Sequence, residues 1–394
     1  MQADPIVIVS YARTPIGNLL GELKTFSAHQ LGSAAIKAAV KRAELKYDDI
    51  HEVIMGCVLP AGQGQAPARQ AAMNAGIPYG TPCTTINKVC GSGMKAVMFA
   101  HDILLTGSAD IMVVGGMESM TNAPYLLSKA REGYRLGHGE FFDHMMLDGL
   151  EDAYDKGRPM GYFAEDCAKK FGFSRHQQDE FSMGSLERAQ LAIREKKFAK
   201  EIVTLTVTSK KGEQIIANDE KPFSVNPEKI PQLKPAFVKD GTITAGNASS
   251  IADGAAALTV MRLSEAQKRG IKPIARIVGH ASFAKAPAEF TTAPIDATRN
   301  LLQKIGWKCE DVDLFEVNEA FAVVALAYMH ELKIPREKVN IHGGACALGH
   351  PIGASGARIL VTLIAALKEN HFKRGIASLC IGGGEATAVA IEMY

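Results

Sequence analysis

Asp110-Ile-Met-Val-Val-Gly-Gly-Met-Glu118 returns in outline near the other end of the chain as Ala377-Ser-Leu-Cys-Ile-Gly-Gly-Gly-Glu385. Each stretch is a short apolar run that stops at consecutive glycines followed by a glutamate. That pattern is typical of a buried strand with an abrupt end. A second correspondence links Asp49-Ile50 with Asp311-Val312. We therefore predict a chain built from two similar halves.

Strands and helices alternate in both halves. Residues 28–44 and 93–107 carry apolar side chains at helical spacing, and residues 293–308 do the same in the second half. The β-branched run Ile6-Val-Ile-Val9 and the apolar run ending at Gly56 are typical of buried strands. This alternation predicts an α/β fold with a mainly parallel sheet covered by helices on both faces.

The middle of the chain is richer in polar and charged residues than either flank. Helical patterns at 161–171 and 174–197, and a strand-like run from Glu201 to Val207, indicate that it is not one structureless loop. We predict three units, which are an N-terminal half-domain (1–120 with 249–270), an inserted lid or loop domain (121–248) and a C-terminal half-domain (271–394).

Composition excludes several classes of protein. A chain of 394 residues can bury a substantial core without disulfides or metals. Its 44 basic and 42 acidic residues leave a formal charge of +2, which argues against a basic nucleic-acid binder.

Neither a run of about 18 apolar residues nor a secretory-signal pattern occurs, so we expect no membrane association and a cytoplasmic location. The seven cysteines form no CxxC pair, which argues against a disulfide framework or a zinc finger.

Cys90 lies in a segment that suits a reactive thiol. Val89-Cys-Gly-Ser-Gly-Met-Lys95 places the cysteine after an apolar run and directly before a helical pattern. At a helix N-terminus a thiol meets the positive end of the helix dipole and free backbone N–H groups, which favour the thiolate. A buried structural cysteine at a tight turn is the alternative, and this motif alone leaves both open.

Three further polar motifs follow strands or precede helices in the second half. His350 stands within the glycine-rich segment Gly343–Gly356, as a base presented to a cleft would. Cys380-Ile-Gly-Gly-Gly384 ends on glycines whose exposed N–H groups suit an anion or oxyanion. Asn318 leaves another strand and could orient a water or a carbonyl. Because α/β folds bind ligands at such positions, we expect these residues to meet.

The chain resembles the thiolases from end to end. The matching motifs, in chain order, are Tyr11-Ala-Arg-Thr-Pro-Ile-Gly17, Val89-Cys-Gly-Ser-Gly93, Gly115-Gly-Met-Glu-Ser-Met120, Thr244-Ala-Gly-Asn-Ala-Ser249, Asn318-Glu-Ala-Phe321, Gly349-His-Pro-Ile-Gly-Ala-Ser-Gly356 and Cys380-Ile-Gly-Gly-Gly384. The resemblance implies two duplicated βαβαβαββ half-domains in an α/β/α/β/α layering with an inserted loop domain. It also implies coenzyme A thioester substrates, no cofactor or metal, and a homodimer or homotetramer.

The resemblance assigns a role to each polar motif. Cys90 would take the acyl group, His350 would accept its proton, and Cys380 would act as acid and base at the reacting carbon. His350 with a water held by Asn318 would form one oxyanion hole. The N–H groups of Cys90 and Gly382 would form the other.

The same resemblance assigns seven residues to the substrate. Ser249 matches a position that hydrogen-bonds the pantetheine arm, although a helix N-cap for residues 250–260 is an alternative. Met120 and Met160 would line the acyl pocket, and either also suits a plain core. The remaining assignments are Ala248, Phe237, Phe321 and Lys221, the last in place of an arginine that meets the CoA nucleotide.

The activity implied is acetyl-CoA C-acetyltransferase, the reversible condensation of two acetyl-CoA molecules into acetoacetyl-CoA and CoA. Arg158-Pro-Met-Gly161 is closer to degradative 3-ketoacyl-CoA thiolases, so a broad or medium-chain thiolase of fatty-acid metabolism stays open. Gly115–Tyr125 resembles the acetoacetyl type instead. A non-catalytic lipid-binding relative would lack Cys90, His350 or Cys380, and all three are present. A ketoacyl-carrier-protein synthase would lack the second cysteine motif.

Overall fold

The computed structural model describes residues 4–209 and 212–394. Its strands are β1 (Ile6–Arg13), β2 (Gly17–Asn18), β3 (Glu52–Gly56), β4 (Cys83–Ile86), β5 (Ile111–Ser119), β6 (Tyr125–Leu127), β7 (Phe141–Asp143), β8 (Leu205–Ser209), β9 (Gly212–Ile216), β10 (Ala252–Arg262), β11 (Ala275–Ala284), β12 (Leu314–Val317), β13 (Arg374–Ile381) and β14 (Glu385–Met393). Its α-helices are α1 (Ala28–Arg42), α2 (Pro67–Ala75), α3 (Ser92–Leu105), α4 (Gly161–Phe171), α5 (Arg175–Arg194), α6 (Lys221–Ser224), α7 (Leu263–Lys268), α8 (Ala293–Ile305), α9 (Ala322–Leu332), α10 (Ala345–Leu348) and α11 (Ile352–Glu369).

One continuous sheet runs through both halves in the order β12–β13–β14–β11–β1–β10–β5–β3–β4, with β2 beside β10. The order is symmetric about the junction of β11 and β1, where Ile8 faces Ala275 in an antiparallel pair. From β1 outward the sheet continues through β10 and β5, both antiparallel to their inner neighbours, to β3, which is parallel to β5. From β11 outward it continues in the same way through β14 and β13 to β12, which is parallel to β13. Both halves therefore follow the predicted βαβαβαββ order, although the place of β4 is taken in the second half by a single bridge between Phe315 and Val339.

The sheet is mixed, so the expectation of a mainly parallel sheet is wrong. Among the described residues, the parallel strand pairs are β3–β4, β3–β5 and β12–β13. Strands β13 and β14 are joined by Gly382–Gly384, which is far too short for the crossover that a parallel pair needs. Gly383 and Gly384 have φ angles of +90° and +88°, a turn that glycine makes without strain.

Helices enclose the two halves of the sheet in five layers. Helices α1 and α2 cover the outer face of the first half, α8 and α9 cover that of the second, and α3 and α11 lie between the halves. Both faces of β1 are consequently apolar, because Ile6 and Ile8 pack toward the central helices while Val7 and Val9 pack toward α1.

The helices predicted at 28–44, 93–107, 161–171, 174–197 and 293–308 are confirmed as α1, α3, α4, α5 and α8. Local capping explains two of the starts, because Ser27 and Ser174 each form a capping box with the glutamine three residues later. None of the helices in the described residues is long and apolar enough to cross a membrane.

Buried ion pairs tie the segment between β5 and β10 to the first half. Arg13, at the end of β1, is fully buried and donates to both carboxylate oxygens of Asp219 at 2.7 and 2.9 Å. Its Nε donates to Glu201 at 2.5 Å. Both acids belong to residues 121–248, so this arginine anchors the inserted segment over the sheet. The division into three folding units remains a prediction.

Candidate active site

Cys90 sits on a strained turn between β4 and α3. Val89 has a φ of +45°, a region that β-branched residues rarely adopt. Ser92 Oγ holds the turn by donating to the Val89 carbonyl at 2.6 Å and accepting from the Lys88 N–H at 2.8 Å. The Val89 N–H donates to Asn87 Oδ1 at 2.8 Å. These bonds fix the position of the partly buried thiol.

Helices α3 and α11 cross at glycines. A Cβ atom on Gly93 would lie 2.8 Å from a backbone nitrogen of α11, and one on Gly356 would lie 2.4 Å from a backbone nitrogen of α3. Side chains cannot approach so closely, so the helices touch backbone to backbone. The loops before these helices, which carry Cys90 and His350, are therefore neighbours.

The glycine-rich end of β13 lies against Cys90. The N–H of Gly382 and the N–H of Cys90 itself both interact with the Cys90 sulfur. Cys380 is close enough for the charge of Cys90 to raise its pKa. Two backbone donors from different halves thus converge at one sulfur, which is the arrangement that an oxyanion hole needs.

Both thiols are protonated at rest. Burial raises the pKa of Cys90 to about 11, outweighing the two N–H groups, which lower it. Burial also raises the pKa of Cys380 well above its usual range, and the nearby Cys90 adds to that effect. Backbone N–H groups lower the pKa of Cys90 in the direction that the sequence predicted, but burial outweighs them in the free protein.

Hydrogen bonds decide which nitrogen of the buried His350 is free. Ser355 Oγ donates its single proton to the Pro351 carbonyl at 2.9 Å, so it accepts from the Nδ1–H of His350 at 2.5 Å. Nε2 then carries no proton, and Asn318 Nδ2 donates to it at 3.4 Å. Burial, reinforced by Arg358, lowers the pKa of His350 to about 3. The ring is a neutral base whose open atom is Nε2.

A largely apolar cavity of about 370 Å³ opens beside these residues, within the usual size of a small-molecule site. It brings together His350 and six of the predicted substrate residues, namely Met120, Met160, Phe237, Ala248, Ser249 and Phe321. Met160 Sδ also lies 3.6 Å from the place where a Cβ of Gly382 would be, which connects the cavity with the cysteines.

Ser249 lies in the connection into β10 at the cavity wall. Its N–H donates to the Ala320 carbonyl at 2.9 Å, and the carbonyl of Ser250 accepts from the His350 N–H at 2.9 Å. Residues 252–262 form strand β10 with both faces buried. The alternative of a helix N-cap at Ser249 is therefore wrong, because the alanine-rich run pairs in the sheet instead of forming a helix.

Lys221 lies apart from the other predicted substrate residues. It lines a separate cavity of about 190 Å³ together with Cys346. Its Nζ is buried without a hydrogen-bond partner in the described part of the chain, and burial lowers the pKa of the amine. The assignment of Lys221 to the CoA nucleotide stays a prediction, and this position gives it no support.

Comparison with known families identifies the fold. The thiolase N-terminal domain matches residues 6–264, and the thiolase C-terminal domain matches residues 271–393. The chain belongs to the thiolase family. The predicted thiolase fold is thereby confirmed, and as a thiolase the chain is an acyltransferase enzyme.

Relatives of this thiolase match it over nearly its whole length. Acetyl-CoA acetyltransferase of Chromobacterium violaceum is 46% identical and covers 98% of this chain and 99% of that protein. Mitochondrial acetyl-CoA acetyltransferase of Rattus norvegicus is 48% identical, covering 99% and 91%. The crystal structure of Acat5 thiolase from Ascaris suum in complex with coenzyme A is 42% identical, covers 99% of this chain and 100% of that chain, and has a TM-score of 0.94.

Sequence reasoning missed two residues that hold this thiolase site together. Glu118 is fully buried and accepts the N–H groups of Val58 at 2.9 Å, Leu59 at 3.1 Å and Gly353 at 2.9 Å. It joins the turn after β3 to the start of α11, and burial raises its pKa to about 7. The sequence signal that could have pointed to Glu118 is the repeated glycine-glycine-x-glutamate ending of the two strands. The other is Ser355, whose hydroxyl orients the ring of His350. No local sequence pattern distinguishes this serine from its neighbours in α11.

Proposed function

We propose that this thiolase is an acetyl-CoA C-acetyltransferase, which condenses two acetyl-CoA molecules reversibly into acetoacetyl-CoA and CoA. The observation that carries the proposal is the convergence of Cys90, Cys380 and His350 beside one apolar cavity. Relatives that are 45–48% identical over nearly the full chain bear the name of this activity.

The first half-reaction uses Cys90 as the nucleophile. As its sulfur attacks the thioester carbon, the thiol proton passes to Nε2 of His350, the free nitrogen of a neutral ring. The N–H groups of Cys90 and Gly382 hold the tetrahedral oxygen. The bond to the CoA sulfur then breaks, Cys380 gives that sulfur its proton, and acetyl-Cys90 remains.

The second half-reaction uses the thiolate that Cys380 has become. It removes a proton from the methyl carbon of a second acetyl-CoA, a much weaker acid than a thiol of pKa about 8.5, so the enolate oxygen needs stabilisation. Protonated His350 supplies one donor. A water on Asn318 Oδ1, which is buried without a partner among the described residues, supplies another. The enolate carbon attacks acetyl-Cys90, the carbon–sulfur bond breaks, and His350 returns the proton to Cys90.

Peptide mass spectrometry after incubation with acetyl-CoA tests the nucleophile. We expect one acetyl group on Cys90. Acetylation at another cysteine, or no acetylation at all, would contradict the assignment of Cys90 as the nucleophile. Cys380→Ser should still acetylate Cys90 but condense about 10²–10⁴-fold more slowly, the usual contribution of a general acid–base group. Unchanged condensation kinetics in that variant would refute the role of Cys380.

A broad or medium-chain 3-ketoacyl-CoA thiolase is the second candidate, favoured by an apolar cavity that includes Met120, Met160 and Phe237. Thiolysis rates against 3-ketoacyl-CoAs of increasing chain length separate the two. The acetyltransferase should show its highest kcat/KM with acetoacetyl-CoA, and a rise with chain length would favour the second candidate and a role in fatty-acid metabolism.

We also propose a homodimer or homotetramer in the cytoplasm. The support for association is the hairpin of β6 and β7, where Tyr125 and Phe141 are 68% and 69% exposed and Leu136 at the tip is 99% exposed. Large apolar side chains of this kind commonly mark protein interfaces. Light scattering should give a mass of two or four chains, and fractionation of the source cells tests the location.

A further inference from the structure

A second group of ligating side chains lies where α3 meets β11. His101 Nδ1 and His280 Nε2 both face Oδ1 of Asp102, at 3.0 and 2.9 Å. The two imidazole rings stand edge to face with centroids 5.0 Å apart. These three ligand atoms lie within 4.8 Å of one another, and no other such group of three or more occurs in the part of the chain that the structure describes.

None of these three residues takes part in the proposed reaction. His101 and Asp102 belong to the C-terminal part of α3, whereas the catalytic thiol lies before its first residue. The side chains of His101 and His280 are only 14% and 12% exposed, while that of Asp102 is 56% exposed. The group is therefore rigidly packed on its histidine side and open to solvent on its carboxylate side.

We propose that His101, Asp102 and His280 bind one divalent first-row transition-metal ion. Imidazole nitrogens suit Zn²⁺, Ni²⁺ and Fe²⁺, and one carboxylate completes a common ligand set. With bonds of about 2.1 Å, each histidine nitrogen and Asp102 Oδ1, 2.9–3.0 Å apart, would subtend about 90° at the ion, as adjacent ligands of an octahedron do. Three protein ligands leave positions for water on the exposed side.

The surrounding charges permit a cation here. Asp102 supplies the one carboxylate among the three ligands. A bound ion would replace the two hydrogen bonds to Asp102, and each neutral ring would then carry its proton on the other nitrogen. The nearby amine of Lys304 donates to the carbonyl of His280 at 3.2 Å, and that of Lys95 lies over the ring of Phe99.

A bound ion would join the two halves of the molecule. His101 and Asp102 come from α3 of the first half, and His280 comes from β11, the strand of the second half that pairs with β1. Because the ion would bind the folded chain and not the unfolded one, it would raise the melting temperature with its concentration. That readout does not depend on catalysis or on the proposed function.

The test is titration of the full-length protein with Zn²⁺ and Ni²⁺, with Mg²⁺ as the hard-cation control. We expect about one ion per chain by calorimetry and a rise in Tm with both transition metals. His101→Gln, His280→Gln and the half-exposed Asp102→Asn should each weaken binding at least tenfold. The matched control is His51→Gln, because His51 faces a single carboxylate, Asp110, at 3.7 Å and should leave binding unchanged.

Co²⁺ serves as an optical probe that separates this site from the active-site thiols. Cobalt held by imidazole and carboxylate lacks the strong near-ultraviolet charge-transfer band that a thiolate ligand produces. A thiolate band, binding retained in both His280→Gln and Asp102→Asn, or no binding by the unaltered protein would each overturn the proposal. Should His280→Gln fold poorly, the Asp102→Asn variant alone decides between these outcomes.

Discussion

Burial sets the protonation of Cys90 and His350 in the free protein. It raises the pKa of Cys90 to about 11 and lowers that of His350 to about 3, so the thiolate–imidazolium pair is strongly disfavoured in the free enzyme. The sulfur consequently becomes a nucleophile only as its proton leaves during attack. Such a thiol is protected from adventitious reaction and still active toward a bound thioester.

Alkylation of Cys90 by iodoacetamide should accelerate about tenfold per pH unit between about pH 7 and 9, because only the thiolate reacts and the pKa lies near 11. The rate is measured on the Cys90 peptide by mass spectrometry. A short cysteine peptide with blocked ends, whose thiol pKa is about 8.5, is the control, and its rate should begin to level off near pH 9. A plateau for Cys90 below about pH 9 would contradict the high pKa.

Ser355→Ala should lower kcat about tenfold, or about 1.4 kcal/mol, because the Nδ1–H of His350 loses the acceptor that fixes the tautomer. KM should change little, since the hydroxyl lies behind the ring. Ser378→Ala removes an equally buried hydroxyl, which donates to the Thr387 carbonyl at 3.0 Å, and it serves as the control. Equal kcat values for the two variants would remove Ser355 from the mechanism.

At the level of elements, the crossing of α3 and α11 sets the distance between the loops that carry Cys90 and His350. Gly93 and Gly356 let the backbones touch, and Glu118 ties the start of α11 to the turn after β3 through the N–H of Gly353. The loops themselves need few direct bonds to each other, because the helices behind them are held rigidly.

Gly356→Ala should destabilise the protein by about 1–3 kcal/mol and reduce kcat, because its Cβ would lie 2.4 Å from a backbone nitrogen of α3. Gly184→Ala in α5 is the matched control, since nothing lies within 4 Å of its Cβ position. That variant should be about 0.5–1 kcal/mol more stable than the parent. Urea unfolding and thiolysis assays measure both effects, and equal stability of the two variants would count against the tight crossing.

Elements were predictable from sequence where their cause is local. Helices α1 and α5 follow from apolar spacing and serine caps, and the turn at Gly382–Gly384 follows from its glycines. The direction of the strands was not predictable, because the alternation of strands and helices does not show which strands pair with each other. The predicted catalytic positions rest on motifs and stay predictions. The accepting role of Ser355 and the separate cavity of Lys221 depend on contacts between distant segments, which no local pattern records.

For the whole molecule, Arg13 links the stability of the fold to the inserted segment that forms part of the cavity wall. This residue ends a central strand and binds two carboxylates of the inserted segment, which also supplies Met160 and Phe237 to the cavity wall. The insertion is thus held to the sheet by ion pairs whose side chains are fully buried, so removing one partner leaves the others uncompensated.

Arg13→Leu should destabilise the protein by about 3–5 kcal/mol, because Glu201 and Asp219 would remain buried without their cation. The urea midpoint measures the loss. Arg276→Leu is the control, since its pair with Glu392 is 45% and 21% exposed and should be worth less than about 1 kcal/mol. Similar midpoints for the two variants would show that the buried network does not anchor the insertion.

The antiparallel junction of β1 and β11 relates the halves as a twofold axis relates two subunits. In a true homodimer each residue must serve both copies alike. Because the two halves here are different stretches of one chain, equivalent positions can hold different residues. The loop before α3 holds the proposed nucleophile, while the equivalent loop before α11 holds the proposed base, so this thiolase would achieve a division of labour that identical partners could not encode.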